Sequence, residues 1–238
     1  ARDISFTVKR GSCVALVGES GSGKTTVARA LAGLHKTWTG SAVLDGETLA
    51  TVARDRTREQ RRRIQMIFQS PTDALNPRHQ VRDMLAQPAR SLRGLSAAEA
   101  QKQVASLLDD VGLPQRYAGL YPRELSGGQR QRVAIARALA AEPELIICDE
   151  ITSALDVSVQ ARVLELLRDL QTSRGLSLLF ITHDLGVVAT LADEVLVLEH
   201  GSICERGDTT RVLLDPREPY TRTLLDAAPS LSEALAGS

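Results

Sequence analysis

The sequence has few aromatic residues, 3% of 238, so any core must be assembled from Leu, Val, Ile and Ala. It has no net charge, because 29 Lys and Arg balance 29 Asp and Glu. That removes the overall basic field that would recruit nucleic acid or an anionic membrane, and no nucleic-acid partner is expected. Cysteine is scarce. Cys13, Cys148 and Cys204 lie far apart with no Cys-x-x-Cys pair, which excludes a disulfide framework or a cysteine metal site and reads as reduced thiols in a cytosolic protein. No apolar run approaches the roughly 20 residues that a membrane-spanning helix needs, and the first residues do not form a secretory signal. Work at a membrane would require another chain to supply the span.

What is present suits a folded domain. Hydrophobic residues make up 43% of the chain, an ordinary globular share and too high for disorder. The length fits one large α/β domain, or a core carrying a smaller lobe. Residues 4–8 alternate apolar and polar side chains, the pattern of a half-buried strand, and residues 13–17 form a short apolar strand. A glycine-rich loop follows over 18–23, then a helix over 24–34. Val43-Leu44 reads as a strand entering the turn Asp45-Gly46. Residues 54–63 carry six arginines. A nucleic-acid patch is one reading of this run. A solvated helix face fits better, because Asp55 and Glu59 interrupt the run and no aromatics interleave.

From residue 72 to about 141 the periodicity is helical, notably over 97–111 and 130–139, with no strand-like run. This is the pattern of an all-helical lobe inserted into an α/β core. Strands resume at 145–148, 178–181 and 195–198, with a helix over 157–170. Such alternation predicts a mostly parallel sheet with right-handed crossovers. After Gly207, short helices punctuated by Pro216, Pro219 and Pro229 are expected.

Two glycine-rich segments carry chemistry. Gly18-Glu19-Ser20-Gly21-Ser22-Gly23-Lys24-Thr25 fits G-x-x-x-x-G-K-[ST], with a strand before it and a helix after it. Gly21 and Gly23 tolerate positive φ, so successive amides can turn inward around phosphate oxygens at a helix N-terminus. Lys24 would reach the β- and γ-phosphates, and the Thr25 hydroxyl would ligate Mg²⁺. Leu125-Ser126-Gly127-Gly128-Gln129 opens a second helix. Ser126 could be a simple N-cap, yet two glycines at a helix start also present amides to an anion. One nucleotide has little use for two cradles in one chain, so a dimer in which each copy closes the other's site is the economical arrangement.

Asp149 and Glu150 follow the buried strand at 145–148. In an open parallel sheet ligands sit at the carboxyl ends of strands, which would bring both acids beside the phosphate loop. Asp149 suits a Mg²⁺-linked role and Glu150 a general base on water. Taken alone, the pair could equally be an ordinary solvated strand end. His183 follows the strand at 178–181 at the same sheet end, where it could sense a γ-phosphate.

With these residues in place, the sequence closely resembles the nucleotide-binding domain of ABC transporters. Residues 18–26, through Thr26, resemble the Walker A loop; 125–129 the LSGGQ signature; 145–150 Walker B with its catalytic glutamate. Phe68-Gln69 is similar to the Q-loop, Ser153-Ala154-Leu155-Asp156 to the D-loop, and Thr182-His183-Asp184 to the switch-histidine loop. The resemblance implies a P-loop NTPase with a RecA-like core at 1–71 and 142–207, a helical subdomain at 72–141 and a C-terminal extension at 208–238. It implies ATP and Mg²⁺ as cofactors, with Thr25, Gln69 and Asp149 near the metal, and Gln69 rests mainly on this likeness. Two such domains would pair head to tail, and residues 126–129 of one would face the ATP held by the other. The same likeness implies transmembrane permease subunits, an extracytoplasmic solute-binding protein acting indirectly, and a peripheral place on the cytoplasmic face of a bacterial membrane.

Two further stretches resemble the oligopeptide, dipeptide and nickel importer branch. They are Phe68-Gln69-Ser70-Pro71 running on through Ala74-Leu75-Asn76-Pro77-Arg78, and Asp215-Pro216-Arg217 with Pro219-Tyr220-Thr221-Arg222 and Leu224-Leu225. Family members carry an adenine-stacking aromatic upstream of the first strand. Phe6 lies inside the strand and does not match it, so weak ATP binding by this chain is expected. Two alternatives to transport are an ABC-type ATPase acting on nucleic acid or ribosomes, and a regulatory module that binds ATP without hydrolysing it. The short stretch between Gln69 and Leu125, without sustained heptads, counts against a chromosome-organising relative. Retained Glu150 and His183 count against the regulatory module.

Overall fold

The computed structural model describes residues 1–70 and 75–228. Its centre is a six-stranded sheet with strand order β4-β5-β6-β1-β7-β8. The strands are β1 (Cys13–Val17), β4 (Ile64–Ile67), β5 (Leu145–Asp149), β6 (Ser177–Ile181), β7 (Glu194–Glu199) and β8 (Ser202–Asp208). Neighbours run parallel from β4 to β7, and only the β7–β8 hairpin is antiparallel. A separate two-stranded ladder pairs β2 (Val43–Leu44) with β3 (Glu47–Thr48). The sequence is apolar where the sheet is covered on both faces: β1 and β6 are buried at every position, as parallel strands under helices must be.

Alternate residues of each strand feed different clusters. Cys13, Ile146, Cys148, Leu178 and Phe180 face one side. Val14, Leu16, Ile147, Leu179 and Ile181 face the other, against Val27 and Ala28 of α1 (Lys24–Leu31). The first cluster continues without a break into the helices of the 75–139 region. There it takes in Val81, Met84 and Leu85 of α3 (Val81–Arg93), and Val104 and Leu108 of α5 (Val104–Asp110). It also includes Val133 and Ile135 of α6 (Gly127–Leu139). A third cluster joins Ala15, Val17, Val195 and Val197 to Leu185 and Val188 of α8 (Leu185–Leu191) and to Val212 and Leu213 of α9 (Thr209–Leu214). Cys13 and Cys148 are fully buried and Cys204 is half-buried, all three as free thiols. Burial pushes the Cys13 and Cys148 thiols far above their ordinary range, which makes them inert packing groups. Among the described residues, no helix is long and apolar enough to cross a membrane.

Several expectations are corrected. Residues 4–8 keep the alternation of half-buried and exposed side chains, and Ile4, Phe6 and Val8 pack on the core, but they are not assigned to a strand. Apolar alternation measures burial on one face; a strand also needs a neighbouring edge to bond to. Helix α1 stops at Leu31, because Gly33 takes φ +74° and turns the chain so that Leu34 N–H bonds back to Arg29 O. The helical stretch at 97–111 is two helices, α4 (Ala97–Lys102) and α5, broken at Gln103. Helix α2 (Arg58–Arg63) contains part of the arginine run, but the run is not simply a solvated face. Arg56 is buried and donates to Ala50 O and Leu31 O, and Arg63 pairs with Glu144 and Asp45. The chain after Gly207 forms α9 and α10 (Pro219–Asp226), and its first residue, Asp208, ends β8. Pro71, Ala74 and Pro229, like residues 230–238, lie outside the described residues.

Candidate functional site

Four parallel strands end side by side, and each ending delivers one expected group. Strand order alone sets the sequence along this edge. Residues 68–69 follow β4, Glu150 follows β5, 182–183 follow β6, and the glycine-rich loop follows β1. Residues scattered across more than 160 positions of chain thus become neighbours, at the end of the sheet where parallel α/β folds bind ligands.

The loop's shape depends on its glycines. Gly18 sits at φ +145°, and a Cβ there would lie 2.2 Å from Leu198 O of β7, so no larger residue fits without displacing the sheet. Gly23 caps α1 in the left-handed region at φ 104°, with no side-chain capping bond. The first amides of α1 are therefore left to something other than a protein side chain, as an anion site requires. Lys24 is 4% exposed, and its Nζ donates to Gly18 O at 2.7 Å and Glu19 O at 2.8 Å. Burial lowers its pKa, while Glu150 and Asp149 oppose that shift. Ser22 Oγ is buried with no hydrogen-bond partner among the described residues.

The acidic pair divides into two environments. Asp149 is 3% exposed and accepts a hydrogen bond from Thr25 Oγ1 at 3.0 Å. Burial raises its pKa, and the Thr25 bond pulls in the other direction. Glu150 adopts φ 49°, a strained backbone for a residue with a side chain. The strain is held from both sides: Glu150 N–H donates to Ile181 O at 2.9 Å, and its carbonyl accepts from Ser153 N–H and Oγ. The carboxylate is thereby turned toward the neighbouring strand ends. Gln69 Nε2 donates to Glu150 Oε2 at 2.9 Å, and His183 Nδ1 lies 3.7 Å from Glu150 Oε1. His183 stays 62% exposed, so its ring can reach outward. A cavity of about 300 Å³ beside these groups is lined by Thr25, Arg29, Phe68, Gln69, Ser70 and Asp149.

The second glycine segment is elsewhere. Ser126 caps α6 in a reciprocal box: Ser126 Oγ accepts from Gln129 N–H at 3.3 Å, and Gln129 Oε1 accepts from Ser126 N–H at 2.8 Å. Leu125 is buried as the anchor, while Ser126 and Gly127 are exposed. None of the described hydrogen bonds joins residues 126–129 to residues 18–26. Gly128 lies so close to α7 (Val157–Arg174) that a Cβ would meet Val159 Cγ1 at 2.5 Å. That contact sets the segment beside residues 153–156, of which Ser153, Ala154 and Asp156 are exposed and Leu155 is half-buried; Asp156 caps α7. The neighbouring Val157 is 84% exposed, a large apolar side chain left in solvent.

These arrangements meet independent likenesses. The family model described as ABC transporter matches residues 1–153. A peptide import ATP-binding protein of Brucella abortus is 46% identical over 227 residues, covering 95% of this chain and 68% of that protein. The chain belongs to the ABC transporter family. The oligopeptide transport ATP-binding protein OppF of Haemophilus influenzae is 45% identical over 229 residues, covering 96% of this chain and 69% of OppF. Among solved structures, cbiO1 of Clostridium perfringens, part of the ABC transporter complex cbiONQ, matches with TM-score 0.80 and 27% identity over 98% of this chain and 90% of that one. The dimeric, post-hydrolysis ATP-binding cassette MJ0796, bound to ADP and Pi, matches with TM-score 0.74 and 31% identity over 86% and 88%. As a member of this family the chain is an ATP-binding, ATP-hydrolysing protein.

Sequence reasoning missed two participants. Arg29 is one α-helical turn beyond Thr25 on α1 and lines the same cavity, and this spacing was available in the sequence. Tyr220 accepts a hydrogen bond from Glu19 N–H at 3.0 Å across 201 positions, and no local pattern foretells that.

Proposed function

We propose that this chain is the ATP-hydrolysing part of an ABC importer for peptides or similar small solutes, working as a head-to-tail pair at the cytoplasmic face of a bacterial membrane. The observation that carries the hydrolytic reading is the convergence of Gln69, Glu150 and His183 at adjacent strand ends, beside the loop that holds Lys24. In this reading Gly18, Glu19, Ser20, Gly21, Ser22, Gly23, Lys24, Thr25 and Thr26 form the triphosphate cradle. Glu150 accepts a proton from the attacking water; Gln69 orients that carboxylate and the water; His183 faces the γ-phosphate.

Thr25 and Asp149 offer two oxygens 3.0 Å apart, with Gln69 on the same cavity, a hard-donor set that fits Mg²⁺ completed by phosphate oxygens and water. When bound, the ion supplies charge neutralisation for the β- and γ-phosphates. Asp149 and Thr25 would hold it, and Lys24 would carry the rest of the phosphate charge.

The pairing is supported by what the chain leaves exposed. Ser126, Gly127, the 153–156 loop and Val157 lie together near the Gly128–Val159 contact, a mixed polar and apolar face suited to a second copy or a similar ATPase domain. Ser126, Gly127, Gly128 and Gln129 would then close the partner's nucleotide, with Ser153, Ala154, Leu155 and Asp156 crossing the seam. We assign residues 1–71 and 142–207 to the α/β core, 72–141 to the helical subdomain and 208–238 to the extension. An open groove of about 320 Å³ between the α/β core and the helical subdomain, lined by Met66, Phe68, Gln87, Pro88, Leu92 and Ala138 among others, would seat a short segment of a permease subunit. Phe68 adjoins Gln69, so movement in that groove reaches the hydrolytic group directly. Peptides as cargo rest on the likeness to the Brucella and Haemophilus proteins. Reconstitution with permease subunits and a solute-binding protein of a peptide importer tests it: ATP-dependent peptide uptake supports the reading, and uptake of other solutes alone overturns it.

A further inference from the structure

The proline-punctuated C-terminal segment is not idle. Glu205 on β8 is buried, and its carboxylate accepts from Arg211 Nη1 at 2.9 Å and from the amides of Arg217 and Glu218 at 3.1 Å each. Those amides immediately precede α10, so one buried carboxylate fixes where that helix begins. Tyr220, Leu224 and Leu225 of α10 pack on the cluster built by Val17, Val195 and Val197. The outcome is that Tyr220 Oη reaches the amide of Glu19. The same peptide is gripped at its other end, because Gly18 O accepts from Lys24 Nζ, and the next carbonyl, Glu19 O, accepts from it as well. Burial raises the Tyr220 phenol above its ordinary range, so it remains a neutral hydroxyl at working pH.

We propose that Tyr220 is a positioning residue for the phosphate loop: its hydroxyl fixes the Gly18–Glu19 peptide whose carbonyl holds Lys24, and so ties ATP affinity to that one hydrogen bond. The inference rests on reading residues 18–26 as the triphosphate cradle. The hydroxyl acts through the loop and touches no reacting atom. Its effect therefore falls on the binding of nucleotide more than on the chemical step.

The test compares two variants of the whole chain, titrated with Mg-ATP and melted thermally. Tyr220→Phe keeps the ring and removes only the acceptor. It should raise KM or Kd for ATP about two- to tenfold, the worth of one hydrogen bond, with kcat within about twofold and an unchanged melting temperature. Leu224→Ala thins the same apolar cluster without touching the hydroxyl, and should lower the melting temperature while leaving ATP affinity near that of the parent. Unaltered ATP affinity in Tyr220→Phe overturns the proposal. Equal weakening by Leu224→Ala also overturns it, because docking in general would then be responsible. A parent chain that binds no ATP overturns this inference together with the function it rests on.

Discussion

The phosphate loop and the LSGGQ segment are both glycine-rich starts of α-helices, yet they are built on opposite plans. Helix α1 begins at a left-handed glycine with no side-chain cap, and its loop is braced by the sheet at Leu198, by Lys24 and by Tyr220. Helix α6 begins with a complete capping box, and Ser126 and Gly127 at its start stand exposed. The first plan leaves helix amides for a ligand and relies on the rest of the chain to hold the loop in shape. The second satisfies the Ser126 and Gln129 amides internally and, among the described residues, takes up neither the Gly127 nor the Gly128 amide. A cradle that must be rigid before ligand arrives needs tertiary bracing; a segment that closes another copy's site as a lid, as proposed for residues 126–129, needs to be folded by itself.

The comparison can be broken in several ways. The largest effect is expected at the braced site. Glu150→Gln should retain ATP binding and lose about 10²- to 10⁴-fold in steady-state hydrolysis, the worth of a positioned general base; an unaltered rate would remove Glu150 from that role. Gly18→Ala comes next. The forbidden φ and the contact with Leu198 O should cost ~3 kcal/mol in thermal or urea unfolding and abolish ATP binding.

A third effect is set by acid. Burial pushes Glu205 up, but the amides of Arg217 and Glu218 and the Arg211 guanidinium outweigh it and hold the carboxyl down at about 2. A depressed folded pKa means its stabilisation is full above the ordinary value of 4.5 and fades as pH falls toward about 2. Glu205→Gln should therefore be less stable than the parent at neutral pH, with the gap closing in acid melts. The smallest effect on stability belongs to the lid. Gly127 has open space where a Cβ would go, so Gly127→Ala should fold as well as the parent, within about 1 kcal/mol. Its ATPase should nevertheless fall, since the substitution crowds the face that the proposed pairing uses. Equal behaviour of the Gly18 and Gly127 variants would erase the contrast between the two segments.

Most of this site could be read from sequence because its pieces are local. Eight consecutive residues define the loop, and buried strands announce Asp149, Glu150 and His183 at their ends. The parallel sheet followed from apolar runs alternating with helices. What escaped was non-local or camouflaged. Strand β4 is only four residues, it carries Gln65, and it follows three arginines directly. Strand β8 lies at the sheet edge, where Glu205, Arg206 and Asp208 hide its alternation. Arg56 is buried by two carbonyls that only the fold brings to it. Tyr220 meets Glu19 through β8 and α10, a route no spacing rule encodes.

The claim that the lid acts on another copy's nucleotide is tested most directly by sedimentation of the Glu150→Gln chain with Mg-ATP. The account predicts a nucleotide-dependent dimer that dissociates when Ser126→Arg is added, although each chain still binds ATP. A dimer indifferent to Ser126→Arg, or an ATP-loaded chain that stays monomeric at every concentration, would contradict it.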